Sequence, residues 1–244
     1  MSDIDTLVIV PTYNEKENIE KVTRAVLDTT PHADILFVDD NSPDGTGKIA
    51  DELTQKYPRV HVLHRTAKEG LGRAYIAGFR WALERDYQFV MEMDCDFSHD
   101  PKEIPNFRDK ILSGYDLVLG SRYVGGIRVL NWPLSRLMLS RGAGIYVKFI
   151  TRMPFTDPTG GFKCFRREVL ASYDFDKVKA NGYGFQVEMT HKAWMKGFKV
   201  GEVPITFEDR QEGTSKMSGN IVYEALWIVW ALALRSLFRK KPKK

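Results

Sequence analysis

Two aspartates, Asp94 and Asp96, follow the short apolar run at residues 89–93. Side chains two residues apart on an extended segment point to the same side, so both carboxylates can reach one point. Two carboxylates beside a pyrophosphate would repel it, and a divalent cation between them removes that conflict. Oxygen ligands from Asp94 and Asp96, with Ser98 or water, suit Mg²⁺ or Mn²⁺. A simple Asp-rich turn without a metal is the alternative.

Polar residues also follow the first two predicted strands, as PTYNE at residues 11–15 and DDNS at residues 39–42. Ligands of open α/β sheets bind beyond the carboxyl ends of the strands. The adjacent carboxylates of Asp39 and Asp40 repel each other and lose solvation unless they meet hydrogen-bond donors, which a base and a ribose would supply. The alternatives are a helix cap at Asn14 and a solvated turn capped by Asp, Asn and Ser side chains.

Two arginines and a serine could bind an anion. Arg122 follows a predicted strand, and Arg136 and Ser140 lie four residues apart on a predicted helix, so they share one face. A guanidinium fork pairs with phosphate, and a serine hydroxyl adds a further donor. For Arg136, an ordinary solvated helix face is the alternative.

Short β-branched runs alternate with helical patterns, which is typical of a parallel sheet with crossover helices. The pattern predicts strands at residues 6–10, 35–38, 60–63, 89–93 and 117–119. Helices are predicted between them at residues 14–29, 46–57, 71–86 and 105–113. Later elements are helices at 132–150 and 185–196 and a strand at 200–207. The polar segment 208–219 contains two glycines, which favours a mobile loop.

The composition, with 43% hydrophobic and 28% charged residues, is that of a globular protein. The net charge is +4, but the last ten residues hold six Lys or Arg and no acid, which leaves about −2 for the rest. A basic tail indicates an anionic surface as partner and argues against a nucleic-acid-binding body. Cys95 and Cys164 lie far apart, and the N-terminus lacks signal-peptide features, so a cytoplasmic location is predicted.

Residues 221–244 are predicted to form a C-terminal apolar and basic helix. The longest uninterrupted apolar run, residues 225–234, would extend about 15 Å as a helix, half of a hydrocarbon core of about 30 Å. It is therefore too short to span a bilayer. Trp227, Trp230 and the basic end favour attachment to a membrane surface or to a membrane protein. A helix packed on the protein's own sheet is the alternative.

The ordered series of motifs resembles the family 2 glycosyltransferases with a GT-A fold. It comprises PTYNE, VDDNSPDGT, MDCDFSH, GSRY, DPTGGF, GYGFQVEM and GTSK, and it covers about residues 6–220. Within that family the set is most similar to the polyprenol-phosphate mannosyltransferases, known in eukaryotes as dolichol-phosphate mannose synthases. The resemblance implies an α/β, Rossmann-like catalytic domain over residues 1–220, with a mostly parallel sheet flanked by helices, followed by the helix at residues 221–244.

The resemblance also implies a reaction and its site. Mannose would pass from GDP-mannose to a polyprenyl phosphate at the cytoplasmic side of a membrane, where the protein would be peripheral. Asp96 and Arg122 would be the catalytic residues. Asp94, Asp96 and Ser98 would bind Mg²⁺ or Mn²⁺. The lipid phosphate would lie at Arg122, Arg136 and Ser140. The donor would contact Pro11, Tyr13, Glu15, Val38, Asp40, Asp94, Cys95, Asp96, Arg122, Arg210 and Lys216.

A phosphate monoester is largely ionised near neutrality, with a second pKa of about 6, so it needs positioning and not deprotonation. We therefore predict no general base. Catalysis would come from the metal on the leaving group, cationic contacts to both phosphates and in-line placement. Direct displacement implies inversion at the anomeric carbon.

Three other functions compete with this one. The same fold could use UDP-glucose or another UDP-sugar, because two aspartates do not distinguish nucleobases. A non-catalytic sugar-nucleotide-binding subunit is the second, although the intact acidic and basic motif residues argue against it. The third is a nucleotide-hydrolysing or dinucleotide-binding enzyme, suggested by DGTGKIAD at residues 44–51, which lacks the full phosphate-loop spacing and any GxGxxG.

Overall fold

A seven-stranded sheet is the centre of the structure, a computed structural model that describes residues 4–208 and 227–234. Its strands are β1 (Thr6–Thr12), β2 (Ala33–Asp39), β3 (Val60–His64), β4 (Phe89–Glu92), β5 (Leu117–Ser121), β7 (Lys163–Arg166) and β8 (Val200–Pro204). The order is β3-β2-β1-β4-β7-β5-β8, and β7 alone of these seven runs antiparallel to its neighbours. A separate parallel pair consists of β6 (Val129–Leu130) and β9 (Phe207–Glu208).

Helices cover both faces of the sheet. They are α1 (Ile19–Thr29), α2 (Thr46–Lys56), α3 (Leu71–Leu83), α4 (Ile104–Leu112), α5 (Leu134–Thr151), α6 (Arg167–Ala171) and α7 (Tyr183–Lys196), with short 3-10 helices at Pro101–Glu103 and Phe175–Lys177. One hydrophobic cluster joins the sheet to α1, α2 and α4. The other joins it to α3, α5, α6, α7 and the helical residues 227–234. The predicted α/β fold with a mostly parallel sheet is confirmed.

The helix predicted from residue 14 begins only at Ile19, with Asn18 as its N-cap residue. Asn14 has a φ of 61°, in the left-handed region. Its backbone N–H donates to Ser42 Oγ at 3.1 Å, so this stretch belongs to a loop that docks on the loop after β2. The predicted helix cap at Asn14 is therefore wrong.

The strands after β5 differ from the sequence prediction, which contained no counterpart of β6. The single strand predicted at residues 200–207 is broken, because β8 ends at Pro204 and Phe207 begins the short strand that pairs with β6. Strand β7 was not predicted at all. It lies between β4 and β5, and its antiparallel direction brings Lys163 to the edge where β4 and β5 end.

The C-terminal helix is described only at residues 227–234. Val229 and Leu232 are buried in the cluster that contains α3 and α7, whereas Trp227, Trp230 and Leu234 are exposed. This short stretch therefore packs on the protein's own core and also presents an apolar outer face. The predicted loop from residue 209, the domain boundary at residue 220 and the basic tail lie outside the described residues. Within the described ranges, no helix combines the length and apolarity that crossing a membrane requires.

Candidate functional site

The loops after β1 and β2 are joined by hydrogen bonds at the carboxyl edge of the sheet. The backbone N–H of Glu15 donates to Thr46 Oγ1 at 2.9 Å. The backbone N–H of Lys16 donates to Asp44 Oδ2 at 3.3 Å. Together with the contact between Asn14 and Ser42, these bonds join the two loops into one continuous surface, the nucleoside wall. A nucleoside that binds there would meet a surface that is already formed.

Asp39 and Asp40 both have partners within the protein. Asp39 Oδ1 accepts from Thr12 Oγ1 at 3.2 Å and from Ser42 Oγ at 2.5 Å. Asp40 forms an ion pair with Arg65, which follows β3. Burial raises the pKa of Asp40, and the charge of Arg65 offsets part of that rise. The expectation that these carboxylates require a ligand for compensation is wrong. Asp39 caps a turn, as the alternative had it.

The predicted donor residues at or after β1, β2 and β4 differ in burial. Pro11, Tyr13 and Glu15 are partly exposed at the end of β1. The side chains of Val38 and Cys95 are buried in the two hydrophobic clusters, so the structure does not place them on the open edge. Sequence reasoning missed Lys68, whose Nζ lies 3.9 Å from the centre of the Tyr13 ring. This lysine adds a positive charge beside the predicted nucleoside wall.

Asp94 and Asp96 lie on a turn and not on an extended strand. Strand β4 ends at Glu92, and Phe97 adopts a left-handed φ of 60°. The premise that a strand aligns the two carboxylates is therefore wrong. What holds the turn is local hydrogen bonding, since Ser98 donates its backbone N–H and its hydroxyl to Asp96 Oδ1 at 3.0 and 2.6 Å.

Two buried side chains, His99 and Tyr75, form hydrogen bonds with Asp94. His99 Nδ1 accepts the backbone N–H of Asp94 at 3.0 Å. The Tyr75 hydroxyl donates to Asp94 Oδ1 at 3.4 Å. Burial and the nearby carboxylates raise the pKa of Tyr75, so its hydroxyl stays protonated and remains a donor. Sequence reasoning missed both His99 and Tyr75, although His99 stands within the MDCDFSH motif.

The donor set of this turn fits a divalent cation. Asp94 and Asp96 offer carboxylate oxygens, the ligands that Mg²⁺ and Mn²⁺ prefer. Ser98 is buried and its hydroxyl donates to Asp96, so it braces that carboxylate. Among residues 4–208 and 227–234 there is no group of three or more His, Cys, Asp or Glu arranged to hold a metal. The remaining ligands would have to come from substrate oxygens or water.

Two buried residues of opposite charge type lie just before the turn. Glu92 on β4 faces Lys163 on β7, and both are fully buried. Burial raises the pKa of Glu92 to about 7 against the attraction of Lys163, and burial lowers the pKa of Lys163 to about 8. Lys163 Nζ also donates to the backbone oxygen of Gln186 at 2.7 Å. These contacts tie β4 to β7 and α7. The missed signal was the acidic Glu92 within the otherwise apolar strand FVME.

Arg122, at the end of β5, is held by the DPTGGF segment. Its Nε and Nη2 donate to the two carboxylate oxygens of Asp157, both at 2.7 Å, and Nη2 also donates to Thr159 at 2.9 Å. Burial opposes the charge of Asp157, but Arg122 outweighs it and lowers the pKa of Asp157. Asp157 thus occupies the guanidinium fork that the sequence prediction reserved for phosphate.

The three predicted acceptor residues come together near the start of α5. Cζ of Arg136 lies 4.4 Å from the ring centre of Trp132, and Cζ of Arg122 lies 5.7 Å from the same ring. Ser140 accepts a hydrogen bond from the Tyr123 hydroxyl at 2.7 Å. Arg136 is only partly exposed, so a fully solvated helix face does not describe it. Arg210 and Lys216 lie outside the described residues.

Comparison with known proteins places this arrangement in a family. The family model described as "Glycosyl transferase family 2" matches residues 7–174. The chain is 49% identical over 231 residues to polyprenol monophosphomannose synthase of Mycolicibacterium smegmatis, covering 94% of this chain and 87% of that protein. It is 48% identical over 231 residues to undecaprenyl-phosphate mannosyltransferase of Micrococcus luteus, covering 94% and 95% of the two chains.

A more distant relative and a solved structure are also similar to this chain. The chain is 39% identical to dolichol-phosphate mannosyltransferase of Pyrococcus furiosus, covering 92% of this chain and 62% of that protein. A crystal structure of glucosyl-3-phosphoglycerate synthase from Mycobacterium tuberculosis, with Mn²⁺, UDP-glucose and phosphoglyceric acid, superposes with a TM-score of 0.73 at 16% identity. That match covers 94% of this chain and 80% of the other, and it shows the shared fold. The chain therefore belongs to the family 2 glycosyltransferases, and its close relatives are polyprenol-phosphate mannosyltransferases.

Proposed function

We propose that this protein transfers mannose from GDP-mannose to a polyprenyl phosphate, with inversion at the anomeric carbon. The observation that carries the proposal is a juxtaposition at one edge of the sheet. The carboxylate turn after β4 and the arginines around Trp132 are linked through Phe207, whose ring contacts both His99 and Arg122. The names of the three curated relatives support mannosyl transfer to a polyprenol-type phosphate, because each name couples mannose to such a phosphate. The choice of GDP-mannose as the donor rests on the resemblance of the motifs.

On the donor side, the nucleoside would lie against Pro11, Tyr13 and Glu15, with Asp40 at the end of β2. Asp94 and Asp96 would hold Mg²⁺ or Mn²⁺, which would neutralise the charge that develops on the leaving nucleoside diphosphate. Arg210 and Lys216 would complete the phosphate contacts, as the family resemblance implies. Tyr75 and His99 keep the carboxylate turn in place while the donor binds.

On the acceptor side, the lipid phosphate is its own nucleophile, so the chain needs to orient it and not to deprotonate it. Arg136 supplies a guanidinium fork, and Ser140 adds a hydroxyl. Arg122 adds a positive end whose direction is fixed by Asp157. In this arrangement the phosphate approaches the sugar from the side opposite the leaving group, which gives inversion.

The acceptor is a lipid, and α5 offers a surface for its membrane. Leu134, Met138, Ile145 and Phe149 are 58% to 80% exposed and recur on one face of the helix, opposite the buried Val147. The helix contains no acidic residue, and its exposed Arg141 and Lys148 border the apolar stripe. Such a helix suits the headgroup region of an anionic membrane. We propose peripheral association at the cytoplasmic side, through this stripe together with the exposed face of residues 227–234.

The direct test is incubation of the purified protein with radiolabelled donors and polyprenyl phosphate in vesicles, followed by extraction of the lipid. We expect label in the lipid fraction with GDP-mannose and Mg²⁺ or Mn²⁺, and none with UDP-glucose. If the lipid is labelled only from UDP-glucose, the proposed donor is wrong but the proposed class of reaction stands. If the protein binds nucleotide but transfers sugar from no donor, it is a sugar-nucleotide-binding subunit and not an enzyme.

A further inference from the structure

We propose that Trp132 is a positioning residue that orients Arg136 toward the acceptor phosphate, beside Arg122. This inference rests on the proposed function, in which both arginines contact that phosphate. The observation behind it is that one indole ring meets both guanidinium groups, with Cζ of Arg136 at 4.4 Å and Cζ of Arg122 at 5.7 Å from the ring centre. Both distances lie within the range of cation–π attraction.

The two arginines differ in how the protein holds them. Arg122 is fixed by Asp157, which accepts from both Nε and Nη2. Arg136 has a long side chain with many rotamers, and its position along α5 alone does not set the direction of its guanidinium group. Packing of that group on the Trp132 ring restricts it before substrate arrives. An arginine ordered in advance loses less conformational freedom when the phosphate binds, and binding is tighter.

Trp132 is itself braced from the catalytic edge. The Phe207 ring meets it edge-on at 5.3 Å and 75°. The backbone N–H of Phe207 donates to the Arg128 oxygen at 3.0 Å, which anchors the strand pair that leads into the indole. The Phe207 ring also meets the His99 ring edge-on at 5.7 Å, and His99 Nδ1 accepts the backbone N–H of Asp94. A continuous set of rings therefore relates the acceptor arginines to the carboxylate turn.

Trp132 contacts the two arginines and Phe207 through its ring and not through its N–H. Nε1 is buried and has no hydrogen-bond partner among the described residues. A phenylalanine at this position would keep an aromatic face for the arginines, whereas a leucine would keep apolar volume without that face. The pair Trp132→Phe and Trp132→Leu therefore separates aromatic positioning from simple packing.

The experiment measures KM and kcat for polyprenyl phosphate and for GDP-mannose. Trp132→Leu should raise the KM for polyprenyl phosphate about tenfold, and Trp132→Phe at most about threefold, in line with the strength of cation–π contacts. For both variants, the KM for GDP-mannose should stay within about twofold. Equal rises for Phe and Leu, or no rise for Leu, would overturn the proposal. Trp132→Met replaces Trp132→Leu if the latter does not fold.

Two further variants make the outcome unambiguous. Trp81→Leu is the matched control, because Trp81 is also partly buried and also packs on an arginine, with Cζ of Arg85 at 3.5 Å from its ring. A similar rise in acceptor KM for this control would attribute the effect to general loosening and overturn the assignment. Arg136→Gln tests the proposed acceptor site separately from the proposed role of Trp132. If it leaves the acceptor KM unchanged, the proposed acceptor site is wrong. If it raises that KM while Trp132→Leu does not, only the role of Trp132 fails.

Discussion

Arg122 and Asp157 form a two-pronged ion pair, in which Nε and Nη2 of the arginine donate to the two carboxylate oxygens at 2.7 Å. Asp157 is completely buried, and the Arg122 side chain is 11% exposed. Removing one partner of such a pair leaves an uncompensated charge in the interior. The pair therefore couples the stability of the sheet edge to the placement of a proposed substrate contact.

Asp157→Asn should lower the free energy of unfolding by about 3 kcal/mol and also weaken acceptor use, because Arg122 loses its fixed direction. Urea denaturation and acceptor kinetics measure the two effects. The double variant Arg122→Met with Asp157→Leu should recover part of the stability but none of the activity. Recovery of both together would mean that Arg122 has no part in the reaction.

Asp96→Asn should abolish most transfer without unfolding the turn. The asparagine Oδ1 can still accept both hydrogen bonds from Ser98, but the negative charge for a cation is lost. We expect a loss of at least tens-fold in rate and an unchanged melting temperature. Calorimetry with Mn²⁺ should show weaker binding in the same variant. Undiminished turnover of the wild-type protein in excess EDTA would contradict the metal role.

The buried Glu92 should make stability depend on pH. Its pKa is raised from 4.5 to about 7, so between these values the folded state binds the proton more tightly than the unfolded state. The free energy of unfolding should therefore fall as pH rises across this window, by up to about 3 kcal/mol, and level off above it. Glu92→Gln should flatten that slope in urea denaturation with EDTA present. The exposed Glu168→Gln is the control, and an equal flattening there would refute the assignment.

The apolar stripe on α5 should carry membrane binding. Met138→Gln with Phe149→Gln should reduce co-sedimentation with phosphatidylglycerol vesicles at least tenfold, because two exposed apolar side chains no longer enter the headgroup region. Leu112→Gln is the matched control, since Leu112 is 54% exposed on α4, on the opposite side of the sheet. Unchanged sedimentation of the double variant would place the membrane contact elsewhere.

The C-terminal helix calls for substitution and not truncation. Val229 and Leu232 are each 2% exposed and belong to the core, so ending the chain after Gly219 would open a cavity and destabilise the fold. Trp227→Gln with Trp230→Gln removes only exposed rings. We expect weaker vesicle binding with little change in melting temperature. Full vesicle binding by this variant would restrict the segment to a packing role.

Strands β1 to β5 could be predicted because each is a mostly apolar run bounded by polar loops. Strand β7 could not, since its four residues, KCFR, contain two charged side chains and show no strand pattern. Lys163 is held there by hydrogen bonds to two oxygens of Gln186, and it lies opposite Glu92 in the register of β4 and β7. Such a partnership depends on tertiary contacts, which local sequence does not reveal.

The candidate site was predicted in position more than in detail. The motifs placed Asp94, Asp96 and Arg122 near strand ends; in the structure Arg122 directly follows β5, whereas the two aspartates lie in a turn beyond the end of β4. The partners of these residues come from distant segments, such as Asp157 for Arg122 and Tyr75 for Asp94. Asp39 and Asp40 were misread for the same reason, because Thr12 and Arg65 lie more than twenty residues away in sequence.

The antiparallel β7 also sets an order of assembly. It pairs with β4 through contacts that span more than 70 residues, from Glu92 to Lys163 and from Phe89 to Arg166. Strand β5 pairs with β7 and β8, both of which follow it in the chain. During synthesis the strands β3-β2-β1-β4 can pair first, while β5 must wait for β7 to emerge. The half of the edge that is proposed to bind the nucleoside can thus form before β5, which carries Arg122 of the proposed lipid-phosphate site at its end, has a strand to pair with.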